Sequence, residues 1–526
     1  MHKGHYLYSA AQVRELDRIV IEKFGISGYE LMQRAGSFAY NILNKYFSKT
    51  FSIYVFCGRG NNAGDGYVLA KLAIEDDKYD REVIVINCFN PEKLEGDAKT
   101  AYQDLVTMKY DKEKVEIWDH SDLRKKNPSS TSVYVDAIFG TGLTRDINDE
   151  NLVHTIEVLN NHNMLVGEGI SNEYEGVLSI DIPSGLNADT GNIMGVAVNA
   201  NVTATFMGHK RGMFTHDGRE YSGQIEFDRL DIPSKSYFEL EEDNHCYLAK
   251  YNDLEYYQNI PARKRNAHKG NFGHVLLIGG DEGYLGAAHM AAEAAMRVGS
   301  GLVSVATRKS HAAQLSITVP EVMSHGVETL DELMPLIKRA TVIAIGPGLG
   351  QSEWAKLLFA RILESDLPII IDADALNLLA EEEQSSPNWV ITPHPGEAAR
   401  LLKTDVTTIQ SDRFQSARDL HEKYHGPVVL KGAGSVVTDL EGNLYVCSEG
   451  NPGMSTGGMG DVLTGVIAGL VAQGVDIESA TQIGVLMHAR AADMAVFDGG
   501  ERGMIATDLM PYLRELSNPD LYFSNT

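Results

Sequence analysis

The sequence predicts an α/β protein built from two doubly wound units. Short, nearly continuous apolar runs alternate with helical stretches, the pattern of strands buried on both faces of a parallel sheet. The alternation breaks once, around residues 230–265, and then restarts. Glycines, 50 in 526 residues, gather at the ends of the apolar runs, where strand-to-helix turns need them. At roughly 150 residues per domain, either half can bury a core without disulfide staples. The domains are expected at 1–240 and 241–526.

The chain opens with two helices. Ser9 caps the first, which carries Val13, Leu16, Val20 and Ile21 on its apolar side and stops at Gly25. Ser27-Gly28-Tyr29-Glu30 predicts a capping box for the second. Strands are expected over Phe51–Cys57, Val83–Cys88, Val133–Phe139, Leu178–Ile182 and Val202–Phe206. Pro233–Ser236, the acidic run Glu239–Asp243 and the Tyr-rich Tyr251–Asn259 mark the seam. Strands then resume at His274–Gly279, Leu302–Ala306, Val342–Ile345, Ile369–Asp372, Val390–Thr392, Val428–Leu430 and Val436–Thr438. Loops at the carboxyl ends of such strands converge, so ligands are expected there.

Lys plus Arg number 46 against 72 Asp plus Glu, a formal charge of −26. That balance argues against nucleic acid or an anionic membrane as partner. It does not forbid a small anion, because a few backbone N–H groups can build a local positive site. Cys57, Cys88, Cys246 and Cys447 are far apart, which argues against a disulfide framework and a structural zinc. Arg14, Asp17, Arg18 and Glu22 make the opening segment an amphipathic helix, not a signal peptide. A soluble, cytoplasmic protein is expected.

Three loops of the first half carry chemistry. Gly58-Arg59-Gly60-Asn61-Asn62-Ala63-Gly64-Asp65-Gly66 follows the first strand. It loosely fits a dinucleotide fingerprint, but Asp65 would face a pyrophosphate with like charge. The second strand also ends in Asn87-Cys88, without an acid to hold a ribose. A turn that binds nothing is the plainer alternative. Asp136-Ala137-Ile138-Phe139-Gly140-Thr141-Gly142-Leu143-Thr144-Arg145-Asp146 and Asp181-Ile182-Pro183-Ser184-Gly185-Leu186 end on the same sheet edge. Oxygens of Asn62, Asp136 and Ser184 could together hold a hard cation of low charge density. For Asp136 or Asp181 alone, a turn-capping role is the simpler reading.

The strongest signal is Asn451-Pro452-Gly453-Met454-Ser455-Thr456-Gly457-Gly458-Met459-Gly460-Asp461, which opens an apolar helix. Its glycines let several N–H groups point one way at a helix N-terminus, where the dipole favours an anion. Asp461 is then a carboxylate held beside a phosphate site, placed to take a proton from an attacking hydroxyl. No GK[ST] follows, so this is not a Walker loop. An ordinary helix cap is the rival reading of Asp461. Gly346-Pro347-Gly348-Leu349-Gly350, Asp372-Ala373-Asp374, Thr392-Pro393-His394-Pro395-Gly396-Glu397-Ala398-Ala399-Arg400 and Lys431-Gly432-Ala433-Gly434-Ser435 each follow a strand. Each alone has a plain reading as a strand-to-helix turn, but their shared placement after strands puts all of them at one crevice. His394 alone is more readily a satisfied loop histidine than a catalyst.

The first-half motifs, with Leu31-Met32-x-x-Ala35-Gly36 and Gly208-His209-Lys210-x-Gly212, resemble the NAD(P)HX epimerase family in order over about 230 residues. The resemblance implies a Rossmann-like three-layer sandwich. It implies K⁺ held by Asn62, Asp136 and Ser184, and hydrated cofactor held by Asn61–Asp65, Gly140–Asp146 and Asp181. Inversion of the hydroxyl-bearing carbon needs proton transfer, for which Asp181 is the expected carboxylate and Arg145 a possible electrophilic partner. Met164–Glu175 departs from the family spacing as an insertion of about a dozen residues, and bears on access to Asp181.

The second half resembles the ribokinase-like fold and, more closely, the ADP-dependent NAD(P)HX dehydratases. Asn266-x-His268-Lys269-Gly270, Gly279-Gly280, Gly346-Pro347-Gly348, Asp372-Ala373-Asp374, Thr392–Glu397 and Gly457–Asp461 carry that resemblance over about 260 residues. It implies ADP, with Mg²⁺ on its phosphates, held by Lys431–Ser435 and Asn451–Gly460. It implies substrate contacts from Ala287, Gly348, His394–Arg400 and Asp461. Met459 stands where the family often has Ser. The whole is expected to be a bifunctional epimerase and dehydratase acting on small molecules, with further copies of itself as partner. A small-molecule kinase and a non-catalytic nucleotide-binding protein are the rivals, and the preference for ADP rests on resemblance alone.

Overall fold

The computed structural model describes residues 6–109, 114–119, 122–123, 131–166, 173–240, 245–249, 260, 263–382 and 384–518. Parts of the expected insertion (167–172) and of the seam (241–244, 250–259) lie outside the described residues. The chain divides into two compact units, Met1–His245 and Cys246–Thr526.

The first unit holds an all-parallel sheet whose strands lie side by side as Val115–Asp119, Glu82–Asn87, Ser52–Cys57, Ser132–Ala137, Gly176–Ile180, Val202–Phe206 and Gln224–Asp228. Numbered along the chain, the order is 3-2-1-4-5-6-7, so the direction of winding reverses between Ser52–Cys57 and Ser132–Ala137. Residues alternate between two cores. Val55, Val85 and Val135 pack with the helices Gly28–Tyr46, Asn61–Glu75 and Gly96–Thr107. Tyr54, Ile84, Ile86 and Tyr134 pack with the helix Glu150–Val166 on the other face. This is the expected three-layer arrangement. The edge strands Val115–Asp119 and Gln224–Asp228 escape the sequence reading because an edge strand is only partly covered and keeps its charged residues.

The second unit repeats the order 3-2-1-4-5-6 in a parallel sheet of Met323–Gly326, Leu302–Thr307, His274–Ile278, Val342–Ile345, Ile369–Ile371 and Trp389–Ile391. The helices Leu285–Arg297 and Met459–Ala472 pack closely on it, because Gly465 and Gly469 leave room for the backbone of Ala291 and Ala295. One expectation is corrected. Val429–Leu430 and Ser435–Thr438 do not join this sheet. They form an antiparallel hairpin in a separate sheet with Leu444–Cys447 and Cys246–Ala249. Lys431–Gly434 is therefore a hairpin turn, not a strand-to-helix turn. So short a link cannot contain a parallel crossover.

The opening helix, Ala10–Phe24, has the expected caps: a Ser9–Gln12 capping box and Gly25 at φ 72°. The second box forms only in part. Ser27 Oγ accepts from the Glu30 N–H at 3.2 Å, but the Glu30 carboxylate pairs with Arg34. Among the described residues no helix is long and apolar enough to cross a membrane.

Both switch points are built on a glycine without room for a side chain. A Cβ on Gly58 would lie 1.8 Å from the Ile138 carbonyl oxygen, and one on Gly279 would lie 2.1 Å from that of Pro347. Gly58→Ala must push the two loops apart, at an expected cost of about 3 kcal/mol. Amide hydrogen exchange should accelerate in Ser52–Cys57 and Ser132–Ala137 while the second unit's strands stay protected. Unchanged exchange would show that the crossing is not tight.

Candidate active sites

In the first unit, a cavity of 470 Å³ opens at the carboxyl ends of the strands. Asn61, Asn62 and Asp65 reach it from the first turns of the helix Asn61–Glu75, which begins without a side-chain cap. Ala63 and Gly64 face away: Ala63 is fully buried, and a Cβ on Gly64 would strike Met32. Gly140–Arg145 and Asp181 line the opposite side, whereas Asp146 lines an adjoining cavity.

Asp181 sits at φ 69°, a region that L residues with side chains seldom occupy. Its carboxylate forms an ion pair with Lys210, whose side chain is completely buried. Lys210 Nζ also donates to Thr205 Oγ1 (2.9 Å) and the Phe206 carbonyl (3.1 Å). The Thr141 N–H donates to Asp181 Oδ2 at 3.3 Å. Gly140 is small of necessity, since a Cβ there would lie 2.8 Å from Asp181 Oδ2 and 3.5 Å from Asn62 Cβ. Asn62, Gly140, Thr141 and Asp181 thus come together. Asp65 is 6% exposed. Burial, with the nearby Asp181 and Asp17 carboxylates, pushes its carboxyl well up against the pull of Lys210.

The expected cation ligands divide. Asp136, fully buried, accepts from Ser179 Oγ (2.8 Å), Ser184 N (2.8 Å), Ser184 Oγ (2.5 Å) and Ile138 N (3.3 Å). Burial raises its carboxyl despite these donors. Ser184 Oγ accepts in turn from Phe139 N at 2.8 Å. The Asn62 amide is different: both of its polar atoms are buried without a hydrogen-bond partner. A buried orphan amide is costly unless a ligand meets it.

Sequence reasoning did not place Arg14 and Asp17 here, because on an amphipathic helix they look like a solvated face. Both line the cavity, and an Arg14 guanidinium nitrogen donates to the Thr141 carbonyl at 3.1 Å. Burial and Asp97 raise the Asp17 carboxyl.

The second unit's site centres on Asp372, at the end of strand Ile369–Ile371 and 1% exposed. It accepts from Thr392 Oγ1 (2.7 Å), Lys431 Nζ (2.7 Å) and Thr464 Oγ1 (2.9 Å). Burial alone would raise its carboxyl, but the Lys431 ammonium and the two hydroxyls hold it below the usual range. Lys431 Nζ also lies 3.8 Å from Glu397 Oε2. A Cβ on Gly460 would lie 3.2 Å from Lys431 Nζ, so the glycine-rich loop rests on this ion pair.

Asp461 occupies the first turn of the helix Met459–Ala472, which has Gly458 at φ 95° and no side-chain cap. The leading N–H groups of the helix are therefore left for a ligand. Asp461 is pushed up to about 7, by burial first and by Asp372 next, against Lys431. Glu397 is also pushed up to about 7, chiefly by burial.

His394 is a cap. Its Nδ1 accepts from Gly396 N (2.9 Å) and Glu397 N (3.4 Å), while Glu397 Oε2 accepts from the His394 N–H at 2.7 Å. Pro395 and Gly396 form the start of that helix, Ala398 and Ala399 are buried within it, and Arg400 donates to Asn377 at 2.9 Å. Ala287 and Gly348 meet, with 3.2 Å between Ala287 Cβ and a Cβ built on Gly348. Beneath Lys431–Gly434 lies Arg413, 1% exposed, donating to the carbonyls of Leu430 (3.1 Å) and Lys431 (3.3 Å). Nothing in the sequence singled it out. Ser435 Oγ closes the turn onto Gly432. Asn451 is held by Asp493 at 2.8 Å, and Met459 points into the core, away from the cradle. Its departure from Ser therefore leaves the loop's amide face unchanged. Among the described residues no group of three or more His, Cys, Asp or Glu side chains is placed to hold a metal ion.

Residues 275–515 match the family model described as NAD(P)H-hydrate dehydratase, and residues 28–212 match that described as YjeF-related protein N-terminus. The bifunctional NAD(P)H-hydrate repair enzyme Nnr of Coxiella burnetii is 46% identical over 98% of this chain and 99% of its own. The enzyme of the same description from Escherichia coli is 37% identical over 99% of this chain and 96% of its own. A solved structure of the ADP/ATP-dependent NAD(P)H-hydrate dehydratase from Bacillus subtilis, co-crystallised with ATP/Mg²⁺, aligns at 28% identity and a TM-score of 0.46. It covers 51% of this chain and 97% of its own.

Lys210, fully buried, is the ion-pair partner of Asp181. Lys210→Met should destabilise the first unit by about 3 kcal/mol, the cost of stranding one member of a buried pair. Hydrogen exchange along Val202–Phe206 under native conditions measures it. Protection equal to that of the parent would rule out a structural role for the pair.

Proposed function

The chain belongs to the family of bifunctional NAD(P)H-hydrate repair enzymes, and from that premise we propose how each of its sites works. The first unit is the epimerase domain, which interconverts (R)- and (S)-NAD(P)HX. The second is the dehydratase domain, which uses ADP to return (S)-NAD(P)HX to NAD(P)H, giving AMP and phosphate. The observation that carries the second assignment is Asp461, a carboxyl pushed up to about 7 beside an uncapped, glycine-rich helix start.

In the dehydratase, Asp461 takes the proton from the ring hydroxyl as its oxygen attacks the β-phosphoryl group of ADP. A base near neutrality has the right strength for this transfer at neutral pH. AMP departs, and the hydroxyl has become a phosphate ester, a far better leaving group. Loss of that phosphate and a ring proton restores the dihydropyridine. Amide hydrogens of Gly457–Gly460 face the transferring phosphoryl charge. Lys431, pinned by Asp372, lends positive charge to the same spot, and Asp493 fixes Asn451 at the loop's entry. Magnesium would shield the phosphate oxygens; without a cage of acidic residues among those described, it would arrive on the nucleotide.

In the epimerase, Asp181 is the group placed to move the proton of the substrate's ring hydroxyl, and its ion pair with Lys210 orients it. Asp65, whose carboxyl is pushed up by burial and by the nearby Asp181 and Asp17, lies close by as a second acid. Asn62 supports the K⁺ reading, since its amide oxygen is buried without a partner. Asp136, Ser184 and the Phe139 carbonyl would supply further oxygens, and the ion would offset the negative charge of the acidic cavity. A cytoplasmic setting fits the four buried cysteine thiols.

Two outcomes test these roles. Asp461→Asn should cut ADP-driven recovery of NADH absorbance by at least ~1,000-fold while ADP still binds in calorimetry. In the parent, kcat/KM should fall as pH drops below about 7, because protonated Asp461 cannot accept a proton. A flat profile from pH ~6 to ~8 would remove it as the base. Separately, Asp181→Ala should stop exchange between the two epimers, followed by chromatography, and leave dehydration of the (S) epimer intact. Exchange at the parental rate would refute the assignment.

A further inference from the structure

The epimerase cavity has a neighbour that the chemistry above leaves unused. A second cavity of 320 Å³ adjoins it and shares Arg59, Phe139, Leu143 and Arg145 with it. The two are chemically unlike. The larger carries the carboxylates Asp17, Asp65, Asp97 and Asp181, the smaller only Asp146 and Asp149. The smaller is walled by Phe89 and Phe139, whose rings meet edge-to-face at 6.0 Å. The Arg59 guanidinium lies over the Phe89 ring at 5.6 Å. Asn148 stands at its exposed polar rim.

We propose that the smaller cavity is the adenosine subsite of the epimerase, with Arg59 and Arg145 at the junction holding the pyrophosphate. This rests on the reading of the first unit as an NAD(P)HX epimerase. The hydrated ring must lie in the larger cavity, because Asp181 is there. The remainder of the dinucleotide then cannot stay in it. A pyrophosphate beside Asp97 and Asp181 meets like charge, whereas the two exposed arginines at the shared boundary offer planar forks that match phosphate oxygens. Beyond them the half-buried phenylalanine rings form an apolar wall, and a purine stacks on such a wall without needing a charged partner. Asn148 can both donate to and accept from the edge of the base. Asp149 is less available, since its Oδ1 already caps the following helix through Asn151 N (3.0 Å) and Leu152 N (3.2 Å).

The test uses the full chain without ADP, so that only epimerisation runs. Exchange between epimers is followed for NADHX and for hydrated nicotinamide mononucleotide, which lacks the adenosine half. In Phe89→Leu, which keeps the apolar volume and removes the ring, the kcat/KM preference for the dinucleotide should fall about five-fold. An unchanged preference overturns the proposal. As a second readout, ADP-ribose should inhibit NADHX exchange, and Arg59→Ala, a change at an exposed side chain, should weaken that inhibition about ten-fold. Equal inhibition of parent and variant overturns the pyrophosphate assignment. If the parent epimerises neither substrate, the epimerase reading itself fails, which is a different result from a parent that epimerises both and a variant that does not discriminate.

Discussion

In each unit, two backbone segments cross so closely that no side chain can come between them. The loop leaving the first strand lies against the loop leaving the fourth, at Gly58 and Ile138 in one unit and at Gly279 and Pro347 in the other. Strand order creates the crevice, since winding reverses at that pair of strands. The missing Cβ sets how narrow it is. With the crossing closed, Gly140 comes within reach of Asp181 and Asn62, and Gly348 within reach of Ala287. Function depends on this geometry because proton transfer and phosphoryl transfer both tolerate little displacement of the reacting atoms.

Once the loops meet, charge decides what the crevices can do. Each sets one lysine among carboxylates: the buried Lys210 with Asp181 and Asp65, the partly exposed Lys431 with Asp372, Glu397 and Asp461. Two carboxylates ~5 Å apart at an effective dielectric constant of ~20 repel by about 3 kcal/mol, equivalent to about two pKa units. One ammonium cannot neutralise three such groups. It goes to the best-connected acid, Asp372, which also has two hydroxyl donors. The remaining acids are pushed up to about 7, by burial first and by the neighbouring carboxylates after it. A base suited to work at neutral pH, Asp461, thus follows from burial together with an excess of carboxylates over ammonium groups.

Much of this was legible in the sequence because a buried parallel strand is a continuous apolar run and a phosphate loop is a run of glycines. The central strands of both sheets lie within two residues of their expected positions. The hairpin around Lys431 was misjudged, since two short apolar runs look alike whether a crossover or a turn joins them. The edge strand Gln224–Asp228 was missed because its residues are only half covered. Asp181 and Asp461 stood out because an acid after glycine or at a strand end is costly without a use. Arg14, Asp17 and Arg413 did not, because their roles come from contacts with residues about 130, 80 and 20 positions away, and no local pattern encodes those.

Strain marks the same places as charge. Asp181 has φ 69°, and Ala373, directly after Asp372, has φ 49°. A non-glycine residue in this region costs on the order of 1–3 kcal/mol. Glycine would relieve the strain at either position, and both units use glycine freely wherever backbone freedom alone is wanted, as at Gly185 and Gly346. At position 181 glycine would also remove the carboxylate that pairs with Lys210, leaving a fully buried ammonium without its charge partner, at a cost of about 3–5 kcal/mol. The strained conformer is therefore the cheaper of the two. It persists because the ion pair, the Thr141 N–H and the bond from Asp181 N to the Ala204 carbonyl at 2.8 Å hold it from three sides. A carboxylate so restrained is already oriented when substrate arrives, and little ordering is left to be done in the transition state.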